Sequence, residues 1–312
     1  MSAPDQLSVY GVNGELLVRY IKSVRYRVLR DNLRVTLDFS RVRRVAPHGA
    51  ILLYAELDRI VSCSDQPKPM KIIPPLDNRC RQVFKQVGLL GLTSDDVAIQ
   101  PDRDDVAYWR CTAGTDQSGD GAGNLLERVA DKANKFARRK LILRDIWPGV
   151  SEAIINTTDH AYALTQPPFP PRHPERRWWL LTLVKEDVFA AVVCDLGVGY
   201  RKTTPITIGE WISSNTLKLL ANKNRDANAI ELAMEYGRSR TKLENRGKGS
   251  RDALSVLTQH KNGELVIISN SGCVHYEFDK DSQELRVHKQ SLKVDINATI
   301  VWWRLPLNGG VN

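Results

Sequence analysis

The sequence predicts an α+β protein in two parts, a small N-terminal α/β unit and a larger two-layer sandwich of helices against a mostly antiparallel, mixed sheet. Three observations lead there. Strand-like and helix-like runs alternate through residues 33–88, a polar glycine-rich stretch occupies 94–123, and residues 264–305 are almost entirely strand-like runs.

In the first part, Leu33-Arg-Val-Thr-Leu-Asp-Phe39 alternates as a strand does, and 49–60 places apolar residues at helical spacing. Met70-Lys-Ile-Ile73 reads as another strand, closed by Pro74-Pro75. Asp77 can cap a second helix through Cys80, Val83, Phe84 and Val87, and Gly88 would stop it. Strand, helix, strand, helix implies a parallel-type layer. This unit is assigned residues 1–94. Acids and glycines dominate 95–121, a linker whose one candidate element is a strand at 106–112.

The second part, 122–312, begins with an amphipathic helix over 124–139 and a second helix over 145–162, in which Pro148 is tolerable only in the first turn. Residues 178–184 and 188–194 form a hairpin around Lys185-Glu-Asp187. The stretch 200–245 is polar and helical, with Asp226 as N-cap and Gly237 as stop for one helix. A helix at 253–257 follows, then strands at 264–269, 273–278, 284–289 and 298–305.

Composition narrows the function classes. A formal charge of +9 suits phosphate-bearing partners, whether nucleotide, nucleic acid or anionic membrane, without choosing among them. No apolar run approaches the length of a membrane span and the N-terminus lacks a signal peptide's regions, so the expectation is a cytoplasmic protein with no membrane partner. The five cysteines and six histidines show neither disulfide nor zinc spacing, which leaves magnesium on oxygen ligands as the expected metal.

Three short motifs carry the chemistry. In Ser151-Glu-Ala-Ile-Ile-Asn156 the residues Glu152 and Asn156 share one helix face, with Asp159 and His160 a turn further on. A carboxylate there can orient or deprotonate an attacking group, and an amide oxygen can coordinate magnesium without adding charge. Val192-Val-Cys-Asp-Leu-Gly-Val-Gly199 is a buried strand that ends in Asp195 and two spaced glycines, Gly197 and Gly199. The acid can accept a hydrogen bond from the exocyclic amino group of a base, and the glycines permit close approach of a planar base or of backbone. Arg246-Gly-Lys-Gly-Ser250 precedes a helix, so Gly247, Gly249 and the cations Arg246 and Lys248 can wrap a polyphosphate. Neither a Walker A loop nor a complete Gly-x-Gly-x-x-Gly occurs.

In this order the motifs resemble those of the ATP-binding domain of the GHKL superfamily, shared by histidine kinases, gyrase-type topoisomerases and anti-sigma serine kinases. Residues 151–162 are closest to the N box of the anti-sigma type; 195–199 match the G1 box and 246–249 the G2 box, with 200–245 in the place of the ATP lid. The resemblance implies Glu152 as catalytic base, Asn156 as magnesium ligand, Asp195 as adenine reader, Gly247, Lys248 and Gly249 as phosphate cradle, and Thr299 in the closing strand. Through Leu37-Asp-Phe-Ser40, the helix at Gly49 and residues 75–90, the N-terminal part resembles a STAS-like domain. Where that family carries a phosphate-accepting serine or threonine, this chain has His48. The expected function is a magnesium-ATP-binding switch or ATPase of bacterial signalling or defence, its lid closing to control a protein partner. An anti-sigma-type serine/threonine kinase is the second expectation and a nucleic-acid-linked ATPase the third. Oligomeric state stays open, a homodimer included.

Overall fold

The computed structural model describes residues 1–93, 106, 108–133, 143–162, 171, 175–185, 188–208, 225–239, 249–279 and 281–307. In the N-terminal part the elements are β1 (Gln6–Leu7), α1 (Gly11–Leu29), β2 (Val35–Asp38), β3 (Arg44–Val45), α2 (Pro47–Cys63), β4 (Met70–Ile73) and α3 (Asn78–Val87), then a 3-10 turn at Leu89–Thr93. Strand β1 pairs in parallel with β3, and β2 in parallel with β4. The expected punctuation is in place: Asp77 Oδ1 accepts from Cys80 N at 2.8 Å, and Gly88 ends α3 at φ +96°.

Helix α1 had no counterpart among the elements read from the sequence. Its buried stripe, Leu17, Ile21, Val24 and Val28, has helical spacing but is interleaved with Arg19, Lys22, Arg25 and Arg27, which dilute the pattern. One of those cations is itself buried. Arg25 reaches Glu56 of α2 at 2.6 Å, and Glu56 also pairs with Arg59, so three charged groups share a site in which each residue is at most 5% exposed.

The second part comprises β5 (Arg110–Gly114), α4 (Asp120–Ala133), α5 (Leu143–Asn156) running into a π-helical turn at Thr157–Ala161, β6 (Trp178–Lys185), β7 (Val188–Asp195), α6 (Tyr200–Ile208), α7 (Arg225–Ser239), α8 (Gly249–His260), β8 (Glu264–Ser269), β9 (Gly272–Asp279), β10 (Glu284–Ser291) and β11 (Thr299–Pro306). The protein is thus a mixed α and β structure around one seven-stranded sheet, ordered β10-β9-β8-β11-β7-β6-β5. Every pairing in that sheet is antiparallel, where a mixed sheet was expected. The last strand, β11, inserts between β7 and β8, which brings Thr299 into register with both Asp195 and Ser269.

Three local expectations need correction. The strand expected at 106–112 within the linker forms with shifted bounds, as the edge strand β5 at 110–114 paired with β6, and Trp109 just before it is 2% exposed. Pro148 lies inside α5 rather than in its first turn, because the helix starts at Leu143; burial of Ile146, Val150 and Ile154 offsets the lost backbone bond. Asp226 sits in the first turn of α7 and not at its cap, and Gly237 is inside the helix.

Both faces of the sheet are buried at β6 and β7, which explains why these strands read as continuous apolar runs and not as alternation. Trp178, Leu180, Phe189, Ala191 and Val193 join the core beneath α4, α5, α7 and α8. Trp179, Leu181, Ala190, Val192 and Cys194 join the core of the N-terminal part. Helix α2 lies across β6, β7 and β11, so the expected two-layer sandwich gains a third layer. Asp58 of α2 fastens it, accepting from Arg177 Nη1 at 3.1 Å and from Trp179 Nε1 at 3.0 Å. Among the described residues no helix is long and apolar enough to cross a membrane.

Candidate functional site

The polar ridge of α5 forms as its spacing predicts. Asn156 Nδ2 donates to Glu152 Oε1 at 2.9 Å, which orients both side chains and leaves Asn156 Oδ1 without a hydrogen bond among the described residues. Just beyond Asn156 the helix widens into its π turn. Thr157 Oγ1 donates to Ala153 O at 2.9 Å, and Thr158 Oγ1 donates to Ile154 O and Ile155 O at 3.3 and 3.0 Å. Such hydroxyls compete with the backbone ladder and favour the distortion.

That turn carries the ridge to the end of β7. Asp195 is 7% exposed there, and its Oδ1 accepts from Gly197 N at 2.8 Å. The hydroxyls of Thr299 and Thr157 stand near its carboxylate and favour its charged form. Burial outweighs these contacts and pushes the carboxyl up to about 7. Glu152 is likewise raised to about 7, by burial first and then by the charges of Asp252 and Asp159, while the Asn156 bond opposes the rise. The phenol of Tyr200 feels both acids: burial, then Asp195 and Glu152, hold its proton well above the usual range.

Among the described residues the first two motif segments and the start of α8 come near one another: the Thr157 hydroxyl, next to Asn156, favours the charged form of Asp195, and Asp252, in the first turn of α8, acts on Glu152. Gly249 is the first residue of α8. Arg246, Gly247 and Lys248 lie outside the described residues, as do 209–224 and 240–248 of the expected lid and its boundary; α6 and α7 occupy the rest of that stretch.

The two glycines after Asp195 have an internal reason. A Cβ at Gly197 would come within 2.4 Å of Ala161 O, and one at Gly199 within 2.5 Å of Asn270 Nδ2 and 2.7 Å of Ser269 Oγ. Gly199 also has φ +79°. Close packing of the π turn and of the β8–β9 corner against this loop thus requires both, and Val198 N donates to Ala161 O at 2.9 Å across the same contact.

Asp159 and His160 are placed less centrally. Asp159 is exposed, accepts from Gln117 Nε2, and contributes to the raised Glu152 carboxyl. His160 is exposed, and its side chain makes no hydrogen bond or ion pair among the described residues. His48 is not at the site. It is 4% exposed, its Nδ1 accepts from Val9 N at 3.3 Å, its ring meets those of Tyr10 and Trp302, and burial lowers it to about 4. It is a packing residue between the N-terminal part and the sheet.

Sequence reasoning missed Thr157, Tyr162 and Ser269. Thr157 is buried, and its hydroxyl stands near enough to Asp195 to favour the charged carboxylate. Tyr162 OH accepts from Leu196 N at 3.2 Å and donates to Arg177 O at 2.7 Å, tying the loop after Asp195 to the start of β6. Ser269 Oγ accepts from Tyr200 N at 3.1 Å and lies 3.3 Å from Thr299 Oγ1. A buried threonine or tyrosine inside a catalytic motif was the available signal.

Chemically these residues offer a half-buried carboxyl, Glu152, raised to about 7, an amide oxygen with no hydrogen bond among the described residues, a second buried carboxyl, Asp195, and the start of a helix. Among the described residues no three His, Cys, Asp or Glu side chains are grouped to hold a metal by themselves. The oxygen donors suit a hard cation that takes its remaining ligands from water and phosphate, as magnesium does. No protein family, curated protein or solved structure matched the chain.

Proposed function

We propose that the chain is a GHKL-type ATPase whose crevice binds magnesium-ATP, with a STAS-like unit on the back of its sheet, and that it acts as a nucleotide-driven switch on a protein partner. The observation that carries this reading is the meeting of Glu152 and Asn156, Asp195, and the start of α8 in one place. Each segment alone has an ordinary structural explanation; their convergence at one end of one sheet does not follow from packing.

In this reading Asp195 accepts a hydrogen bond from the exocyclic amino group of the base. Gly197 N holds its carboxylate in place for that contact. Asn156 Oδ1 is the protein's magnesium ligand, kept pointing outward because its amide nitrogen is spent on Glu152. Magnesium bound with the nucleotide supplies neutralisation of the phosphate charge. Glu152, poised near neutrality, takes the proton of the attacking oxygen, with Asn156 fixing its orientation. Backbone N–H groups at the start of α8 face the phosphates. Closure of the segment holding α6 and α7 excludes water and is the movement a partner senses.

Incubation with γ-labelled ATP and magnesium, alone and with cell extract, tests the reading. Free phosphate alone supports the ATPase switch. Label on a second protein, lost in Glu152→Gln, would replace it with the anti-sigma-type serine/threonine kinase. Absence of both products and of nucleotide binding would remove the reading altogether.

A further inference from the structure

The corner between β8 and β9 carries three polar residues in succession, Ser269, Asn270 and Ser271, and each holds a different segment. Ser269 Oγ accepts from Tyr200 N at 3.1 Å, at the first residue of α6. Asn270 Nδ2 donates to Val198 O at 3.3 Å, in the glycine loop after Asp195. Ser271 donates to Asp226 Oδ2, in the first turn of α7, through its backbone N at 3.3 Å and through its Oγ. The two helices are also joined directly, since Thr204 Oγ1 donates to Ala229 O at 3.2 Å. The corner, α6 and α7 thus close a hydrogen-bonded circuit.

The turn itself does not call for these side chains. It needs a residue that tolerates the left-handed region, which Asn270 supplies at φ +53°, and it has no use for hydroxyls at 269 and 271. Asp226 points the same way. It is 7% exposed, and its Oδ1 has no hydrogen bond among the described residues, so a buried carboxylate depends on one serine. Such half-satisfied burial costs stability, whereas an exposed acid would serve the start of a helix equally well. Backbone is pressed against the same corner: a Cβ at Gly272 would stand 2.3 Å from Ala227 N, and one at Gly199 2.5 Å from Asn270 Nδ2. The corner also reaches the candidate site, because Ser269 Oγ lies 3.3 Å from Thr299 Oγ1 and Thr299 is the register partner of Asp195.

We infer that the β8–β9 corner is a positioning element, which makes the starts of α6 and α7 one unit with the loop after Asp195. Binding at Asp195 is then coupled to the contact between Ser271 and Asp226, and the coupling is reciprocal. Its link to nucleotide rests on the function proposed above; the joining of the two helices does not.

The test is residue-resolved hydrogen exchange of the full chain, first without nucleotide. Ser271→Ala removes a hydroxyl donor to a carboxylate and should speed exchange by roughly tenfold at residues 229–231 of α7 and, at a distance, at Tyr200 and Thr203 of α6. Ser271→Thr keeps the hydroxyl and should restore the parent rates. Ser269→Ala should act in the opposite direction, from α6 to residues 229–231. Unchanged protection in β6 and β7 checks that the variants are folded. In a titration with a non-hydrolysable ATP analogue and magnesium, Ser271→Ala should weaken binding by about fivefold or more, although Ser271 belongs to none of the motifs. The inference is overturned if Ser271→Ala speeds exchange in α7 alone, if the threonine variant is as loose as the alanine one, or if the parent binds the analogue and Ser271→Ala binds it as tightly. A parent that binds no nucleotide refutes the proposed function, and the exchange rates of α6 and α7 still decide whether the corner joins them.

Discussion

Replacing Asp195 by asparagine should make the protein more stable at pH 8 and should hardly change it at pH 4. The native carboxyl titrates at about 7, against an ordinary value of 3.8. Between those values the unfolded chain is ionised at this residue and the native protein is not, so the native state binds the extra proton and stability falls as pH rises. At about 1.4 kcal/mol per pH unit the gap is worth about 4 kcal/mol, fully lost above pH 7. Asparagine does not ionise. Its Oδ1 can keep the bond from Gly197 N. Denaturant unfolding of both proteins at several pH values between 4 and 8 measures the difference. Its pH dependence isolates residue 195, because Glu152 and every other group contribute equally to both proteins. The expected result is a stability difference that moves by about 4 kcal/mol in favour of the variant from pH 4 to pH 8. A difference that stays flat with pH would refute the claim that burial, against the Gly197 hydrogen bond, governs this carboxyl.

Two further outcomes follow from the same geometry. If Glu152 is the base, turnover should fall as pH drops below about 7, and Glu152→Gln should lower it by roughly 10²–10⁴-fold while nucleotide binding persists, as measured by phosphate release against a binding titration. Glu56→Ala leaves Arg25 and Arg59 facing each other in the core, and urea unfolding should show a loss of about 3–5 kcal/mol; a loss below about 1 kcal/mol would mean that the cluster contributes little.

Much of the second part was legible because its strands are long and strongly apolar; β6, β7 and β8 differ from the expected bounds by a residue at most. The order of those strands was not legible. Insertion of β11 between β7 and β8 depends on contacts far apart in sequence, and it is this insertion that brings Thr299 to Asp195. Helix α1 escaped notice because charges at Glu15, Arg19, Lys22, Arg25 and Arg27 interrupt its apolar stripe, and one of them, Arg25, is buried through a partner that only the fold supplies. The N-terminal part's seat on the back of the sheet left a trace in the sequence: both faces of β6 and β7 are apolar, which a two-layer sandwich does not require.

At the site, the facing of Glu152 and Asn156 could be read from four-residue spacing, and the position of Asp195 from the end of an apolar strand. Burial of Asp195 and the π turn that joins it to Asn156 could not be, since both depend on how Ala161 packs on Gly197. The glycines were read as room for a base or for backbone; the structure fills that room with the backbone of Ala161 at Gly197 and with the side chains of Asn270 and Ser269 at Gly199.

Calorimetric titration of the full chain with a non-hydrolysable ATP analogue, with and without magnesium, tests the central claim most directly. The account predicts saturable binding at one site per chain, weakened by omission of magnesium or by Asn156→Ala, and abolished by Asp195→Asn in a variant that is still folded. Absence of binding by the parent protein, or an Asp195→Asn variant that binds as tightly as the parent, would contradict it.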